Sequence, residues 1–317
     1  MPIWLSVRVS AVEDLTPRIR QFTLVPADKE TTLPAFTAGS HITVKLTSGT
    51  ERQYSLCNDP AEENRYVIAV QREDTGRGGS LEMHRQVSAG EIVAIGEPRN
   101  NFTLANSADH HLLIAGGIGI TPILSMAHTL LRENRSFRVV YLSRSSSEAA
   151  FLHVLETDAF LNRTTFHFDE QVGGVFSIAE VLAAPSPQTH VYCCGPTALM
   201  DAVAKASSGW PEGSVHFEHF TNETSPISAG DRSFRVKLAR AGVIIEVRSD
   251  QTILDALLDH GLDVDYSCCE GTCGTCVTKL LEGIPDHRDA ILMESEKDTA
   301  IAICCSRAKT ESLTLDL

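Results

Sequence analysis

Ser267–Val277 reads Ser-Cys-Cys-Glu-Gly-Thr-Cys-Gly-Thr-Cys-Val, and the chain is organised around it. Cys268, Cys273 and Cys276 are spaced C-x4-C-x2-C, and a cysteine pair, Cys304-Cys305, follows near the end of the sequence. Four thiolates at this spacing hold a plant-type 2Fe–2S cluster. Three of them must wrap one side of the cluster on a loop too tight for helix or strand. Gly271 and Gly274 permit that, because glycine tolerates positive φ and lets backbone N–H groups turn toward sulfur. Cys268 fits this register, and Cys269, pointing the other way, does not. Between Cys304 and Cys305 the residues alone do not choose.

Other cysteine chemistries fit less well. A zinc site usually shows two C-x2-C pairs, and only Cys273/Cys276 makes one. A c-type haem needs His after C-x-x-C, where Val277 stands. A thioredoxin-like pair opens a helix, whereas this one runs into the β-branched stretch CVTKL. Nine cysteines, six of them in the last fifty residues, form an odd, metal-like cluster and point to a reducing cytoplasm. At 317 residues and 43% hydrophobic content the chain can bury several cores. Its start, MPIWLSVRVS, is not expected to be a signal peptide, and no run approaches the ~18 apolar residues of a membrane span. A net charge of −14 makes nucleic acid and anionic membrane poor partners. Residues 231–317 hold sixteen Asp/Glu against ten Lys/Arg, which suits a basic redox partner, although a merely solvated acidic face is the plainer reading.

From Ile3 to Ile95, WLSVRV, RIRQFTLV, HITVKL, RQYSL, RYVIAV and EIVAI are short apolar or alternating runs separated by Pro and Gly. They predict an antiparallel barrel, interrupted by a helix over GGSLEMHRQV. Arg52, Tyr54 and Leu56 share one strand face and Ser55 takes the other. The tyrosine ring can pack on a planar cofactor while Arg52 pairs with a phosphate. Arg77-Gly78-Gly79-Ser80 at the helix start lets a phosphate approach free N–H groups. Each is weak alone, since such stretches are usually a barrel edge and a turn.

Residues 110–220 alternate strand and helix: LLIAG then TPILSMAHTLL, FRVVYL then AAFLHVLE, TTFHF then SIAEVLA, VYCC then TALMDAVAKA, and SVHFEHF. That predicts a parallel sheet covered on both faces. Gly116-Gly117-Ile118-Gly119-Ile120-Thr121-Pro122 ends the first strand and opens a helix, where glycines admit a pyrophosphate and Pro122 lacks an N–H that the first turn does not need. Cys194-Gly195-Pro196 closes the fourth strand at the edge where sheet ligands bind. Otherwise Cys194 is a small core residue. After the second strand stands Ser143-Arg144-Ser145-Ser146-Ser147, with no acid for an adenosine ribose. Arg144 and the serines can instead accept a 2′-phosphate.

Thr221–Asp231 reads as a linker. FRVKLAR and VIIEVR are strands, Thr252–His260 is a helix with Thr252 as N-cap and Gly261 as C-cap, and the cluster loop with closing strands completes a β-grasp. So small a domain needs its cluster as a staple.

RQYSL, RGGS, GGIGITP, CGP and the C-terminal C-x4-C-x2-C, in that order over nearly the whole chain, resemble the phthalate dioxygenase reductase family within the ferredoxin reductase superfamily. The resemblance implies a multidomain α/β and β chain: an FMN-binding β-barrel at 1–105, a NAD-binding α/β domain at 106–222, a linker at 223–231 and a 2Fe–2S ferredoxin domain at 232–317. It implies that Arg52, Tyr54, Ser55, Leu56 and Val70 contact FMN and that Gly78, Gly79 and Ser80 hold its phosphate. Gly116, Gly117, Gly119, Thr121, Pro122, Arg144, Cys194, Gly195 and Pro196 would bind the dinucleotide. Cys194 would lie beside the nicotinamide, and Phe220 would cover the flavin. The family's closing pattern, a ligand two residues before Ser-Arg-Ala, selects Cys304 beside Cys268, Cys273 and Cys276. GIPDHRDAIL also recurs in the family, and His287 is expected to stabilise a turn. The family's coenzyme is NADH, with NADPH open from Arg144, and its acceptor is a terminal Rieske-type oxygenase. A free-standing diaphorase predicts quinone turnover surviving Cys276→Ser. A non-enzymatic iron–sulfur carrier or sensor predicts no bound flavin.

Overall fold

The computed structural model describes residues 4–28, 32–75, 78–186, 188–220, 227–266, 268–292 and 296–317. It divides into two compact units, 1–218 and 219–317.

The first unit begins with β1 (Trp4–Asp14), β2 (Ile19–Pro26), β3 (Ser40–Lys45), β4 (Glu51–Ser55), β5 (Tyr66–Gln71), α1 (Gly79–Gln86) and β6 (Ile92–Gly96). The strands pair antiparallel in the order β4-β3-β6-β1-β2-β5, with the short β7 (Arg99–Asn100) beside β3. A bridge from Leu56 to Ile68 joins the two ends of that path and closes the barrel, which removes exposed strand edges. Alternate residues point inward, as the two-residue period requires: Val7 and Val9, Ile42 and Val44, Ile68 and Val70 fill one core with Met83 of α1.

β8 (His110–Gly116), α2 (Ile120–Arg132), β9 (Ser136–Ser143), β10 (Thr164–Phe168), β11 (Thr189–Cys194), α3 (Thr197–Ala206) and β12 (Val215–Glu218) follow. The sheet is parallel throughout, in the order β10-β9-β8-β11-β12. Strand order therefore reverses between β8 and β11, and their carboxyl ends flank the switch point where sheets of this kind bind ligands. Two expected helices shrink to single turns. AAFLHVLE keeps Leu152–Leu155 behind a left-handed, buried Phe151, and SIAEVLA keeps Ile178–Val181 before Pro185 disfavours further helix. On either side of the expected boundary at 105/106 stands a core of its own, and a third cluster spans it. Ile19, Ala38, Cys57 and Phe102 pack with Leu113, Ile123 and Met126 in one cluster, and Ser125 Oγ donates 3.0 Å to the Asn58 carbonyl.

The second unit contains β13 (Phe234–Leu238), β14 (Val243–Val247), α4 (Ile253–Asp259), β15 (Val277–Glu282), β16 (Pro285–Asp286), β17 (Ala300–Ala302), β18 (Arg307–Ala308) and β19 (Ser312–Leu315). Its sheet runs β14-β13-β19-β15-β17, with β13 and β19 parallel and the other pairs antiparallel, as the β-grasp reading expects. α4 starts on a capping box between Thr252 and Asp255 and buries Ile253, Leu254, Ala256 and Leu257. Of the expected linker, 221–226 lies outside the described residues. Asp231 belongs to the body of the unit: its buried carboxylate takes 2.6 and 2.8 Å hydrogen bonds from Arg288 and lies 3.3 Å from Arg307.

Candidate functional site

On β4 the side chains divide as the strand period dictates. Leu56 and, across the barrel, Val70 are buried in the core, so only their main chain is left to meet a ligand. Tyr54 packs against the same core, but its buried hydroxyl finds no partner among the described residues. An unpaired buried hydroxyl costs about 1–3 kcal/mol, which a polar ligand atom would recover. Arg52 lies across the start of α1. A Cβ at Gly79 would come within 2.7 Å of its Cγ and Nε, so glycine is what lets the guanidinium reach the helix end. Gly78, the N-cap, has φ 84° and open space where a Cβ would stand. Ser80 Oγ accepts from the Glu73 N–H at 3.0 Å and ties the preceding loop to the helix. Arg77 lies outside the described residues. An arginine, bare backbone and an orphaned hydroxyl together fit a flavin phosphate.

Ser55 turns the other way, and here the structure adds a residue that the motifs do not mark. Its Oγ donates 3.0 Å to Glu218 Oε2, and Cys194 Sγ lies 4.0 Å from the same oxygen. Cys194 and Glu218 are register partners at the carboxyl ends of β11 and β12. Burial pushes the Glu218 carboxyl up to about 8, against the lowering effect of the Ser55 hydrogen bond. Burial, then the Glu218 charge, pushes the Cys194 thiol well up, so it stays a neutral thiol. Only the register of two strands and a serine from the barrel reveal Glu218. In the sequence it is one polar residue inside SVHFEHF.

The glycines of the switch point have two jobs. A Cβ at Gly119 would overlap the Cys194 carbonyl, one at Gly116 would come 2.7 Å from Pro196 Cδ, and one at Gly195 3.0 Å from Gly116 Cα. These three let the loop after β8 and the loop after β11 lie against each other. Gly117, with φ 54° and nothing within 4 Å of a Cβ, is the open one. Thr121 and Pro122 are buried in the first turn of α2, and Thr121 Oγ1 donates back to the Ile118 carbonyl at 3.0 Å. Arg144 follows β9 with its side chain exposed.

In the second unit Cys268, Cys273, Cys276 and Cys304 converge. Cys268 lies close enough to Cys273 and Cys304, and Cys304 to Cys276, for each thiol to act on its neighbour. The Cys273 and Cys304 thiols hold Cys268 far below the usual thiol range, and Cys304 lowers Cys276. The N–H groups of Glu270 and Thr272 also point at Cys268 Sγ, at 3.3 and 3.4 Å, as a thiolate ligand requires. Among the described residues no three His, Cys, Asp or Glu side chains close on a single ion. What favours a two-iron group over a zinc cage is the C-x4-C-x2-C spacing with a distant fourth cysteine, rather than two C-x2-C pairs. Gly271 and Gly274 have φ 72° and 76°, as the tight loop demands, and Cys269, at φ 56°, is exposed and turned away. Cys305 is fully buried in the hydrophobic core. Ser267 lies outside the described residues. GIPDHRDAIL braces this loop: the Ala290 N–H donates to the Gly271 carbonyl at 3.0 Å, and Ser306 Oγ donates to Asp289 at 3.2 Å. His287 pairs with the Lys297 carbonyl at 2.9 Å, a structural contact. Phe220, the second residue of this unit, is 38% exposed.

Residues 236–309 match the model of the 2Fe-2S iron-sulfur cluster binding domain, and 97–214 that of the dimethylamine monooxygenase subunit DmmA-like N-terminal domain. The chain is 42% identical over 316 residues to phthalate dioxygenase reductase of Burkholderia cepacia, covering 99% of this chain and 98% of that one. It is 44% identical over 288 residues to a vanillate O-demethylase oxidoreductase of Pseudomonas putida, covering 89% and 90%. A solved phthalate dioxygenase reductase, described as a modular structure for electron transfer from pyridine nucleotides to [2Fe–2S], superposes with a TM-score of 0.74 at 42% identity, over 99% of this chain and 98% of that one.

Proposed function

Because the chain belongs to the phthalate dioxygenase reductase family, we propose that it is the reductase component of an oxygenase system. It carries electrons from NADH through FMN to a 2Fe–2S cluster and on to a terminal Rieske-type oxygenase. The observation that carries this reading is the pairing, in one chain, of four convergent thiols with a serine–glutamate–cysteine group at the switch point of a nucleotide-binding sheet. When bound, the nicotinamide supplies electrons in pairs, the flavin divides the pair, and the cluster accepts them singly.

The residues' own work is to hold and to tune. Tyr54 and Arg52 would receive the flavin phosphate with the bare backbone of Gly78 and Gly79. Ser55 keeps the Glu218 carboxyl fixed, and a carboxyl titrating near 8 is protonated at neutral pH, so it can hold or give up a proton there. Cys194, a fully buried neutral thiol at the carboxyl end of β11, would stand beside the nicotinamide. Cys268, Cys273, Cys276 and Cys304 would hold the cluster, with the N–H groups of Glu270 and Thr272 supporting one thiolate.

Among the described residues no helix is long and apolar enough to cross a membrane, and the cysteine usage supports a cytoplasmic setting. The test is reduction of a one-electron acceptor such as cytochrome c by NADH. Cys276→Ser should abolish it while NADH still bleaches bound flavin. Equal cytochrome reduction by the variant would favour a diaphorase and overturn the relay.

A further inference from the structure

The coenzyme's adenosine end is the least constrained part of this reading, and one loop bears on it. In doubly wound sheets the tip of the second strand meets the adenosine ribose: an acidic side chain there binds the 2′-hydroxyl of NAD, and an arginine accommodates the 2′-phosphate of NADP. In this sheet that tip is the segment after β9, Arg144-Ser145-Ser146-Ser147. It carries a guanidinium and three hydroxyls and no carboxylate.

The loop's backbone is held by groups other than the ones a phosphate would use, and a phosphate would replace the bond between the Ser145 and Ser147 hydroxyls. The Arg144 carbonyl accepts from the Glu170 N–H at 2.9 Å, and Ser146 Oγ accepts from Gln171 Nε2 at 3.0 Å. Those bonds fix the backbone and leave the Arg144 side chain exposed, with no ion pair among the described residues. Ser145 Oγ and Ser147 Oγ lie 2.9 Å apart, so two hydroxyls converge on one point of the same loop. The nearby acids do not occupy this position. Asp169 pairs with His167 at 3.2 Å, Glu148 stands at the far end of the short turn Ser146–Glu148, and Glu170 belongs to the segment after β10.

We propose that this chain accepts NADPH alongside NADH, with Arg144 pairing with the 2′-phosphate and Ser145 and Ser147 donating hydroxyl hydrogen bonds to it. The inference rests on the nucleotide-binding assignment of the sheet and goes beyond it only in the adenosine subsite. A guanidinium–phosphate pair is a strong, charge-assisted contact, and it distinguishes the two coenzymes without touching the reacting ring.

The experiment is calorimetric titration of the flavin- and cluster-loaded protein with the oxidised nucleotides NAD+ and NADP+ at low salt. Oxidised forms bind without turnover, so the readout is affinity alone. The two dissociation constants should fall within about tenfold of each other. Arg144→Ala should lower the NADP+/NAD+ affinity ratio by roughly tenfold or more, the size of one charge-assisted hydrogen bond. Ser145→Asp, which places the acid where NAD-specific sheets have it, should lower that ratio further. NADP+ binding more than about a hundredfold weaker than NAD+, or a ratio unmoved by Arg144→Ala, overturns the inference and leaves the family reading intact. If neither nucleotide binds, the nucleotide-binding assignment falls as well.

Discussion

Glu218 sits between a serine hydroxyl and a cysteine thiol, and burial alone moves its carboxyl from an ordinary acid to one titrating near 8. Below that pH it carries a proton, and above it a charge that no positive group among the described residues pairs with. The rate of flavin reduction by NADH should therefore fall as pH rises through about 8 in the native protein. Glu218→Gln should remove that inflection and slow the step on the order of a hundredfold, measured by stopped-flow flavin absorbance across pH. A retained inflection would assign the titration elsewhere. The two adjacent cysteines Cys304 and Cys305 make an equally sharp residue-level contrast. Cys304→Ser should lose the iron–sulfur absorbance. Cys305→Ala, which removes a buried sulfur and its weak 3.8 Å contact with the Ala302 carbonyl, should keep that absorbance and cost about 1–2 kcal/mol in urea unfolding.

The loops after β8 and β11 behave as one element because three glycines let them touch. Gly119→Ala forces a methyl into the Cys194 carbonyl and must spread the two loops. Gly117→Ala meets no atom within 4 Å and bears only the strain of φ 54°. Denaturant unfolding should show a loss of several kcal/mol for the first and about 1–2 kcal/mol for the second. In the other unit the strap from Asp231 to Arg288 and Arg307 holds the chain's entry to β13. The Arg288 hydrogen bonds, more than Arg307, hold the Asp231 carboxyl down to about 2. Its contribution is thus complete above the unfolded value near 3.8 and is lost as pH falls from there toward 2. Asp231→Asn leaves two largely buried guanidinium groups short of charge and should destabilise this unit by about 3–5 kcal/mol at neutral pH. Its deficit should shrink in acid, when the native carboxyl also protonates.

At the scale of the whole chain, what the sequence makes legible is what lies close together along it. C-x4-C-x2-C, the alternation of strand and helix after residue 110, and the Thr252 cap are all local patterns, and the structure has each of them. Glu218 was hidden because its partners are Ser55, on a barrel strand 163 residues away, and Cys194, on a neighbouring parallel strand. Asp231 looked like linker because a polar residue beside Gly and Pro reads the same whether or not two arginines fold back onto it. Gly116 and Gly119 also pack on the loop after β11, a contact that no local window contains. The cluster that joins the barrel to the parallel sheet is invisible for the same reason, being made of contacts between distant residues.

The central claim is that this one chain takes electrons from a nicotinamide and passes them, through flavin, to iron and sulfide held by its cysteines. Anaerobic titration of the purified protein with NADH, following visible absorbance and low-temperature electron paramagnetic resonance, tests it most directly. The account predicts that flavin absorbance bleaches and that the rhombic signal of a reduced 2Fe–2S cluster appears in the same titration. A protein that binds zinc in place of iron and sulfide, or whose flavin bleaches while the cluster stays oxidised to the end, would contradict it.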